Sequence, residues 1–267
     1  MKNNRLKKIK IANLQNVYIF DESVNAFGTI KDRRNEKVLE EALRLHVDKL
    51  VLITSGNNGY SLSCLAKNTG IKIVCIVSRD LDIITKELLK SVSYHVIELN
   101  LEEKILRPEE TIIIARENDH EVIWDVTNGY TEAYISIVEE ICKTVMPDYI
   151  VCPLGSGGIY IGIIEGIEKY CPKTKVIGVG TQSTHQSFAD KLSTPWTPYT
   201  RAIENKIQQG HYVFRLSEEE IKNTYRQYKN FALIEPSSAV VFVAPTHFKF
   251  KPSDKIVFVN SGKMKWK

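Results

Sequence analysis

Short apolar runs alternate along the chain with segments whose apolar residues recur at helical spacing. The apolar runs predict strands at 17–20, 50–54, 72–77, 93–98, 121–124, 149–152, 175–179 and 255–260. Helical spacing predicts helices at 34–46, 58–69, 81–90, 131–145, 157–169, 217–229 and 237–244. This alternation predicts an α/β fold with mainly parallel sheet. Between Thr181 and Gly210 the periodicity fades, which predicts a long loop or excursion. Loops of this length often serve as lids, and plain surface is the alternative.

Composition agrees with a folded globular protein. The 267 residues are 43% hydrophobic and 25% charged, which are ordinary values. No apolar run reaches the roughly 18 residues that a membrane-spanning helix needs, so no membrane association is expected. The basic start, MKNNRLKKIK, is not followed by an apolar segment of the signal-peptide type, and we expect it to be a solvated tail.

Charge and metal-binding residue types exclude several functional classes. The net charge of +4 is mild, and no zinc-finger or RNA-binding motif occurs, so nucleic acid is not an expected partner. The five cysteines form no C-x-x-C pair and lie mostly in apolar runs, which predicts reduced, buried thiols in a cytoplasmic protein. The six histidines are dispersed without an H-E-x-x-H motif, so no metal site is expected.

A glycine-rich turn follows one of the predicted buried strands. The segment VCPLGSGGIYIGIIEGI, residues 151–167, reads as a strand, then Gly155-Ser156-Gly157-Gly158, then an apolar helix. Free N–H groups and the helix dipole favour an anion at such a helix start. A dinucleotide fingerprint would need glycine where Tyr160 stands, and no P-loop lysine follows. A monoester phosphate is therefore the better ligand, while a plain turn or a nucleotide site remains an alternative.

A second polar turn, TSGNNG at 54–59, also joins a strand to a helix. Asn58-Gly59 would signal a hairpin, but the residues after it have helical spacing. Its hydroxyl, amide and N–H groups suit a carboxylate, and Asn57 or Asn58 could donate to a phenolate oxygen. The alternative is a capped loop without a ligand.

Two further residues stand beside predicted strands. Lys31, in NAFGTIKDRR, opens a helix, where the core and the neighbouring Arg33 and Arg34 could lower its pKa and allow a Schiff base. The segment alone favours a surface lysine. Ser261 ends the last buried strand, where ligands of open α/β sheets gather, although an ordinary turn is equally compatible.

In this order, these segments resemble the fold-type II pyridoxal-phosphate enzymes, which include cysteine synthases, threonine synthases, serine/threonine ammonia-lyases and the tryptophan synthase β chain. The family pattern N-P-T-G-S-F-K-D-R is similar to residues 25–33, and T-S-G-N-x-G matches 54–59. The glycine-rich phosphate loop resembles 155–158, and E-P-S-[GS]-A is met at 235–239. The C-terminal serine or threonine is similar to Ser261.

The resemblance implies a role for each matching residue. Lys31 would form the internal aldimine with pyridoxal 5′-phosphate and shuttle the α-proton. Asn57 would hydrogen-bond the cofactor's O3′, and Ser261 its ring nitrogen. The phosphate would be held by the backbone of Gly155, Ser156, Gly157 and Gly158. The substrate carboxylate would be bound by Thr54, Ser55, Gly56 and Asn58. The segment 235–239 is expected to be structural only.

The resemblance also implies an architecture. We expect a two-domain fold of the tryptophan synthase β type, with mostly parallel sheets and helices on both faces. Residues 36–130 would form a smaller, mobile domain, and residues 1–35 plus 131–267 the larger, cofactor-binding one. The cofactor would lie between them, and closure would exclude water. A homodimer is expected.

Ser261 directs the expected chemistry, because a hydroxyl facing the ring nitrogen makes the cofactor a weaker electron sink than an aspartate would. The expected enzyme is a lyase or transferase that performs β-elimination or β-replacement on a small amino acid such as serine, threonine, O-acetylserine or O-phosphoserine. KDR, EPSSA and GSGG favour different family branches, so the substrate stays open. A catalytically silent relative that binds the cofactor or an amino acid, and a nucleotide-binding α/β protein, are the alternatives.

Overall fold

The chain forms two compact units. The computed structural model describes residues 5–11, 14–184, 186–230 and 234–263. One unit, called here the middle unit, comprises Lys31–Tyr130. The other, the outer unit, comprises the described residues up to Ile30 and those from Thr131 to 263. This division begins the middle unit at Lys31, whereas the sequence-based boundary was 36.

Strands and helices alternate through most of both units. The strands are β1 Leu6–Ile11, β2 Leu14–Asp21, β3 Lys49–Ile53, β4 Lys72–Ser78, β5 His95–Leu99, β6 Ile123–Asp125, β7 Tyr149–Pro153, β8 Lys175–Thr181, β9 Tyr212–Leu216 and β10 Lys255–Asn260. The α-helices are α1 Lys31–Arg44, α2 Asn57–Ala66, α3 Ile83–Val92, α4 Pro108–Ala115, α5 Ile135–Cys142, α6 Gly158–Tyr170, α7 Thr200–Gln208, α8 Glu218–Tyr228, α9 Pro236–Ala239 and α10 Ala244–His247. Short 3₁₀ segments are Glu22–Val24, Thr131–Tyr134 and Val240–Val243.

The middle unit is built on a parallel sheet in the order β5-β4-β3-β6. Leu50, Val51 and Leu52 in β3 are all fully buried, because apolar groups cover both faces of the sheet. Leu50 and Leu52 join one core cluster, which Val38 and Ala42 of α1 complete, while Val51 joins the cluster on the opposite face. The pleat of the strand produces this alternation.

The outer unit contains a sheet in the order β1-β2-β10-β7-β8-β9. Only the β1–β2 pair is antiparallel among these neighbours. The last strand, β10, lies between β2 and β7 and is therefore an inner strand of the sheet. Val257 and Val259 pack into one core cluster and Ile256 and Phe258 into the other. The α/β fold with mainly parallel sheets is therefore confirmed.

Four local predictions were wrong in whole or in part. Residues 6–11, expected in a solvated tail, form an edge strand in which Leu6 and Ile11 are buried and the lysines face outward. The helix expected at 131–145 is a 3₁₀ turn followed by α5, and the one at 237–244 is three short helical pieces. The stretch expected as a long loop contains α7, whose apolar face is small.

The helix α4 and the strand β9 were not predicted. The sequence of α4, PEETIIIA, has consecutive rather than helically spaced apolar residues. In β9, exposed and buried residues do not alternate clearly. No helix in the described part of the chain has the length and apolar character that crossing a lipid bilayer requires.

Candidate functional site

The glycine turn leads from β7 into the first turn of α6. Gly157 is the N-cap of α6 and has φ +105°, a left-handed conformation that favours glycine. No hydrogen bond from a described side chain caps this helix start. Its first N–H groups and the positive end of its dipole can therefore serve an anion.

The segment before α7, together with α7, packs directly on this turn. A Cβ atom at Gly155 would lie 3.0 Å from the carbonyl oxygen of Lys191, and one at Gly157 would lie 2.6 Å from Cδ1 of Ile203. A larger residue at either position would therefore force these neighbours to shift. A Cβ at Gly158 would make only ordinary contacts, the closest at 3.7 Å.

A hydrogen bond also ties this covering segment to the turn. The Thr197 hydroxyl donates to the carbonyl oxygen of Ser156. The Thr197 hydroxyl also accepts from the N–H of Tyr199 at 3.2 Å. The stretch without periodicity thus includes part of the wall of the candidate phosphate site, a role for which its sequence carries no signal.

Ser261 follows the last strand at the same sheet edge as the glycine turn, because β10 and β7 are parallel neighbours. The Asn260 side chain holds the backbone there. Its amide donates to Asp21 Oδ1 at 2.9 Å, and its Oδ1 accepts from the N–H of Gly262 at 3.2 Å. Both Asn260 and Asp21 are buried, so this bridge is shielded from water.

Ser238, in the segment expected to be structural only, contacts Ser261. The two hydroxyl oxygens are 2.7 Å apart, and Ser238 Oγ lies 3.2 Å from the carbonyl oxygen of Gly262. Ser238 is fully buried and Ser261 is 7% exposed. Sequence analysis missed this partner because a hydroxyl in a predicted helix gives no indication of where it points.

The residues immediately before Lys31 pair through their backbone with the segment that contains Ser261. Residues 28–30 run antiparallel to residues 261–263. The N–H of Ile30 donates to the carbonyl oxygen of Ser261 at 2.8 Å. At the other end of the pairing, the N–H of Lys263 donates to the carbonyl oxygen of Gly28 at 3.2 Å. Lys31 is the next residue and the first of α1, as predicted.

Within the middle unit, α1 is hydrogen-bonded to residues 126–129, which lie near the end of that unit. The buried guanidinium of Arg34 donates to the carbonyl oxygens of Val126, Asn128 and Gly129. Its charge is thus used to hold residues 126–129. The sequence motif indicates only that Arg34 is a neighbour that could lower the pKa of Lys31.

Asn35 lies one helical turn after Lys31 and joins α1 to the polar turn. Its side-chain amide donates to the carbonyl oxygen of Asn58 at 3.1 Å and to Ser61 Oγ at 3.0 Å. Asn35 is fully buried, so these bonds are not exchanged with water. Residues i and i+4 share a helix face, and the face that carries Lys31 is therefore the one that meets the turn at 54–59.

The turn at 54–59 is shaped by Thr54. Its hydroxyl oxygen accepts from the N–H groups of Gly56 and Gly59, each at 3.1 Å. Gly56 has φ +127°, and a Cβ on Gly59 would lie 2.8 Å from Cys75 Sγ. With its oxygen engaged by the loop, Thr54 retains one hydrogen with which to contact a ligand.

The asparagines follow at the start of α2. Asn57 is its first residue and is 7% exposed, whereas Ser55 and Asn58 are half-buried. The Oδ1 atom of Asn58 is buried and has no hydrogen-bond partner among the residues that the structure describes. The unused atom is an amide oxygen, which accepts hydrogen bonds, so it fits a ligand group that donates, such as an amino group, and not a carboxylate.

Cysteines and metal-binding residue types do not form a second site within the described ranges. No group of three or more histidine, cysteine or acidic side chains could hold a metal there. Burial raises the pKa of Cys75 to about 11 and that of Cys152 still further, so neither thiol is a nucleophile near neutral pH. Cys171 is also buried, whereas Cys64 and Cys142 are half-buried.

Sequence comparison identifies relatives with cofactor-dependent chemistry. The profile of the family "Pyridoxal-phosphate dependent enzyme" matches residues 4–262. Cystathionine beta-synthase of Rattus norvegicus is 24% identical over 192 residues, which cover 67% of this chain and 34% of that protein. Its counterpart in Dictyostelium discoideum is 29% identical over 172 residues, 59% of this chain and 34% of that one. The match thus spans about a third of the length of these relatives.

Solved structures agree in fold over nearly the whole chain. An O-acetylserine-dependent cystathionine beta-synthase from Helicobacter pylori superposes with a TM-score of 0.81 at 18% identity, covering 97% of this chain and 92% of that one. A hydrogen sulfide-producing enzyme from Fusobacterium nucleatum superposes with a TM-score of 0.81 at 18% identity. The superposition covers 98% of this chain and 94% of that one. A fungal L-serine ammonia-lyase from Rhizomucor miehei gives 0.76 at 19%, covering 94% and 90%.

The shared fold agrees with the fold type that the motifs implied, and the family match covers residues 4–262, which include every motif named above. Both the fold-type prediction and the family resemblance are confirmed. The chain belongs to the family of pyridoxal-phosphate-dependent enzymes.

Proposed function

We propose that this protein binds pyridoxal 5′-phosphate through Lys31 and catalyses β-elimination or β-replacement on a small amino acid. The observation that carries the proposal is the pairing of residues 28–30 with 261–263. It connects the segment leading into the lysine with the serine expected to face the cofactor ring, although more than two hundred residues separate them in sequence.

The residues present fit this cofactor. The start of α6, with an N-cap glycine and no side-chain cap, suits a phosphate monoester. Ser261 offers a neutral hydroxyl whose hydrogen-bond partner within the described chain is another hydroxyl, that of Ser238. A neutral hydroxyl suits a pyridine nitrogen without imposing the full charge that an aspartate would bring.

Each part of the chain would have a distinct task. When bound, the cofactor supplies the electron sink for a carbon that loses its proton. The Nζ atom of Lys31 would accept the α-proton and return a proton when the reaction ends. The N–H and hydroxyl groups of residues 54–59 would bind the substrate carboxylate and fix the orientation of the Cα–H bond. Asn57 would donate to O3′ of the cofactor.

The substrate class follows from the same reasoning. A hydroxyl at position 261 favours prompt loss of a β substituent over reactions that need a long-lived carbanion. The names of the structural neighbours, an O-acetylserine-dependent synthase, a hydrogen sulfide producer and a serine ammonia-lyase, support serine and its O-substituted derivatives. We propose these as substrates, with release of a keto acid or addition of a nucleophile as the outcome.

The direct test is covalent trapping. Purified protein reconstituted with pyridoxal phosphate should absorb in the visible, and borohydride should fix the cofactor to the peptide that contains Lys31. K31A should lose the trapped adduct, whereas K37A, an exposed lysine of the same helix, should retain it. Trapping at another lysine would overturn the assignment of Lys31.

Activity requires a separate assay. Candidate amino acids should change the visible spectrum, and keto acid release with and without a thiol would separate elimination from replacement. A protein that binds the cofactor at Lys31 but leaves every tested serine derivative unchanged would be a silent relative. That result would refute the catalytic half of the proposal.

We also propose a homodimer in the cytoplasm. All five cysteines lie within the described residues as free thiols, which supports a reducing compartment. Light scattering coupled to size exclusion would give the mass of the assembly. Thiol counting on protein purified under non-reducing conditions should find five, and a lower count would argue against that compartment.

A further inference from the structure

The hydroxyl of Ser261 has a well-defined partner. Ser238 Oγ lies 2.7 Å away, the usual separation for a strong O–H···O hydrogen bond. Each hydroxyl has one hydrogen, so only one of the two donates in this pair. The direction of the bond decides what Ser261 can offer to any group on its other side.

If Ser261 donated to Ser238, Ser261 would present only lone pairs to a ligand and would suit a protonated ring nitrogen. If Ser238 donates instead, the Ser261 hydrogen is left for the ligand and suits an unprotonated nitrogen. The two directions therefore correspond to two electronic states of a bound pyridine ring.

The surroundings allow Ser238 to donate to Ser261, although its hydroxyl is also within donating distance of a backbone carbonyl. The other acceptor near Ser238 Oγ is the carbonyl oxygen of Gly262, at the longer distance of 3.2 Å. That carbonyl already accepts from the N–H of Glu235 at 3.3 Å. The carbonyl is not left unsatisfied when Ser238 turns its hydrogen to Ser261, so no desolvation cost opposes this arrangement.

Hydrogen bonds hold the backbone of Ser261 and of its neighbours in place. Its carbonyl oxygen accepts from the N–H of Ile30, and the flanking Asn260 and Gly262 are joined by the Asn260 side chain. The remaining freedom of Ser261 is its side-chain torsion and the rotation of its hydroxyl hydrogen. Ser238 contacts the atom that both rotations control.

We propose that Ser238 is a positioning residue whose hydroxyl donates to Ser261 Oγ and so commits the Ser261 hydrogen to the unprotonated ring nitrogen of the cofactor. This inference rests on the proposed function. It assigns a role in tuning the cofactor to the EPSSA segment. A neutral ring is the weaker electron sink, which agrees with β-elimination or β-replacement.

The test uses pyridoxal phosphate labelled with ¹⁵N in the ring, bound to the full-length protein. The ¹⁵N chemical shift distinguishes a neutral hydrogen-bonded nitrogen, a neutral nitrogen without a donor and a protonated nitrogen. The cofactor dissociation constant is measured alongside by fluorescence. The variants are S238A, S261A, the double variant and S237A.

Ser237 provides a matched control. It is the neighbouring serine in the same short helix and is buried to the same degree, but its hydroxyl accepts from the N–H of Lys191 at 3.2 Å. S237A therefore removes a buried hydroxyl without touching Ser261. Its ring-nitrogen shift should match that of the wild type.

In the wild type we expect a neutral hydrogen-bonded nitrogen whose shift does not change between pH 6 and pH 9, about the range accessible to the folded protein. S238A should move the shift toward that of nitrogen without a donor and weaken binding about threefold to tenfold, the effect of one hydrogen bond. In the S261A background, the second change should add nothing, because Ser238 acts only through Ser261.

A protonated ring nitrogen in the wild type would overturn the proposed direction of the bond. An unchanged shift in S238A, or effects of S238A and S261A that add, would overturn the positioning role. If S238A does not fold, S238C carries the same comparison, since a thiol is only a weak donor. A wild-type protein that binds no pyridoxal phosphate would refute the proposed function itself, and that result is distinct from the others.

Discussion

At the residue scale, single atoms of the glycine turn decide whether the candidate phosphate site can form. Gly157 has a left-handed backbone, and a Cβ there would lie so close to Ile203 that the Ile203 side chain would have to move. Gly70 has a similar φ of +83° with no atom within 4 Å of the position of a Cβ. Gly157 and Gly70 share the positive φ, but only Gly157 has a close neighbour. Comparing them separates the effect of backbone conformation from the effect of available space.

Gly157→Ala is expected to destabilise the protein by about 2–4 kcal/mol, the sum of left-handed strain and overpacking. Gly70→Ala should cost only the strain, about 1–2 kcal/mol. Urea unfolding of both variants measures the difference. Equal losses would mean that the contact with Ile203 relaxes without cost.

Asn35 is a second residue whose role depends on its neighbours. Asn35→Ala removes the donor for the Asn58 carbonyl and for Ser61, both within a buried region. We expect a loss of about 1–3 kcal/mol in the free energy of unfolding, because these acceptors lose their partner. Asn68→Ala, at an exposed position, should change the same urea midpoint little. Matching midpoints for the two variants would contradict a structural role for Asn35.

At the scale of elements, α6 packs through two glycines on the segment 131–138, which contains the 3₁₀ turn and the start of α5. A Cβ on Gly162 would lie 2.1 Å from the carbonyl oxygen of Thr131, and one on Gly166 would lie 2.7 Å from Cγ2 of Val138. The helix therefore packs backbone against backbone at its centre. This packing fixes α6, whose first turn is the candidate phosphate site.

Alanine substitution along α6 should reveal this packing. Gly162→Ala is expected to cost about 1–3 kcal/mol by overpacking, against the roughly 1 kcal/mol that alanine would gain in an exposed helix. Gly166→Ala should cost less, because its closest contact, at 2.7 Å, is longer than the 2.1 Å contact with a backbone carbonyl at Gly162. Thermal unfolding ranks the two. A higher midpoint for Gly162→Ala than for the wild type would refute the close approach.

At the scale of the whole molecule, one buried histidine links stability to pH. Burial lowers the pKa of His211 to about 4, and the charges of Lys175 and Lys206 act in the same direction, while Glu168 opposes them. His211 Nδ1 accepts from the N–H of Val176 at 3.1 Å, which requires the neutral ring. The outer unit thus holds this histidine unprotonated.

The sign of the pH effect follows from the lowered pKa. The unfolded chain binds a proton at His211 below about pH 6.5, whereas the folded protein does so only near pH 4. This contribution to stability is therefore complete above about pH 6.5 and is lost as the pH falls toward 4, by about 1–3 kcal/mol. Urea unfolding between pH 7 and pH 4.5 should show a smaller decrease in His211→Gln than in the wild type. Parallel profiles would mean that His211 does not supply the effect.

Sequence alone gave the α/β class, most strand and helix positions and the identity of the family, because these depend on short-range periodicity and on contiguous motifs. The glycine turn and the polar turn at 54–59 were readable because glycine and asparagine have local conformational meaning. Lys31 was predicted as the cofactor lysine from its motif, and its expected position at the start of a helix agrees with the structure.

Only the tertiary structure decided which distant groups meet. The strand at 6–11 exists because β2 offers its edge, and the β10 insertion between β2 and β7 brings Ser261 beside Ile30. Ser238, Asn35 and the wall around Thr197 carry no local signal, since a hydroxyl or amide takes its role from the atom that it faces. Periodicity is a property of neighbours in sequence, whereas hydrogen bonds across the fold depend on how the strands are ordered, and no short segment encodes that order.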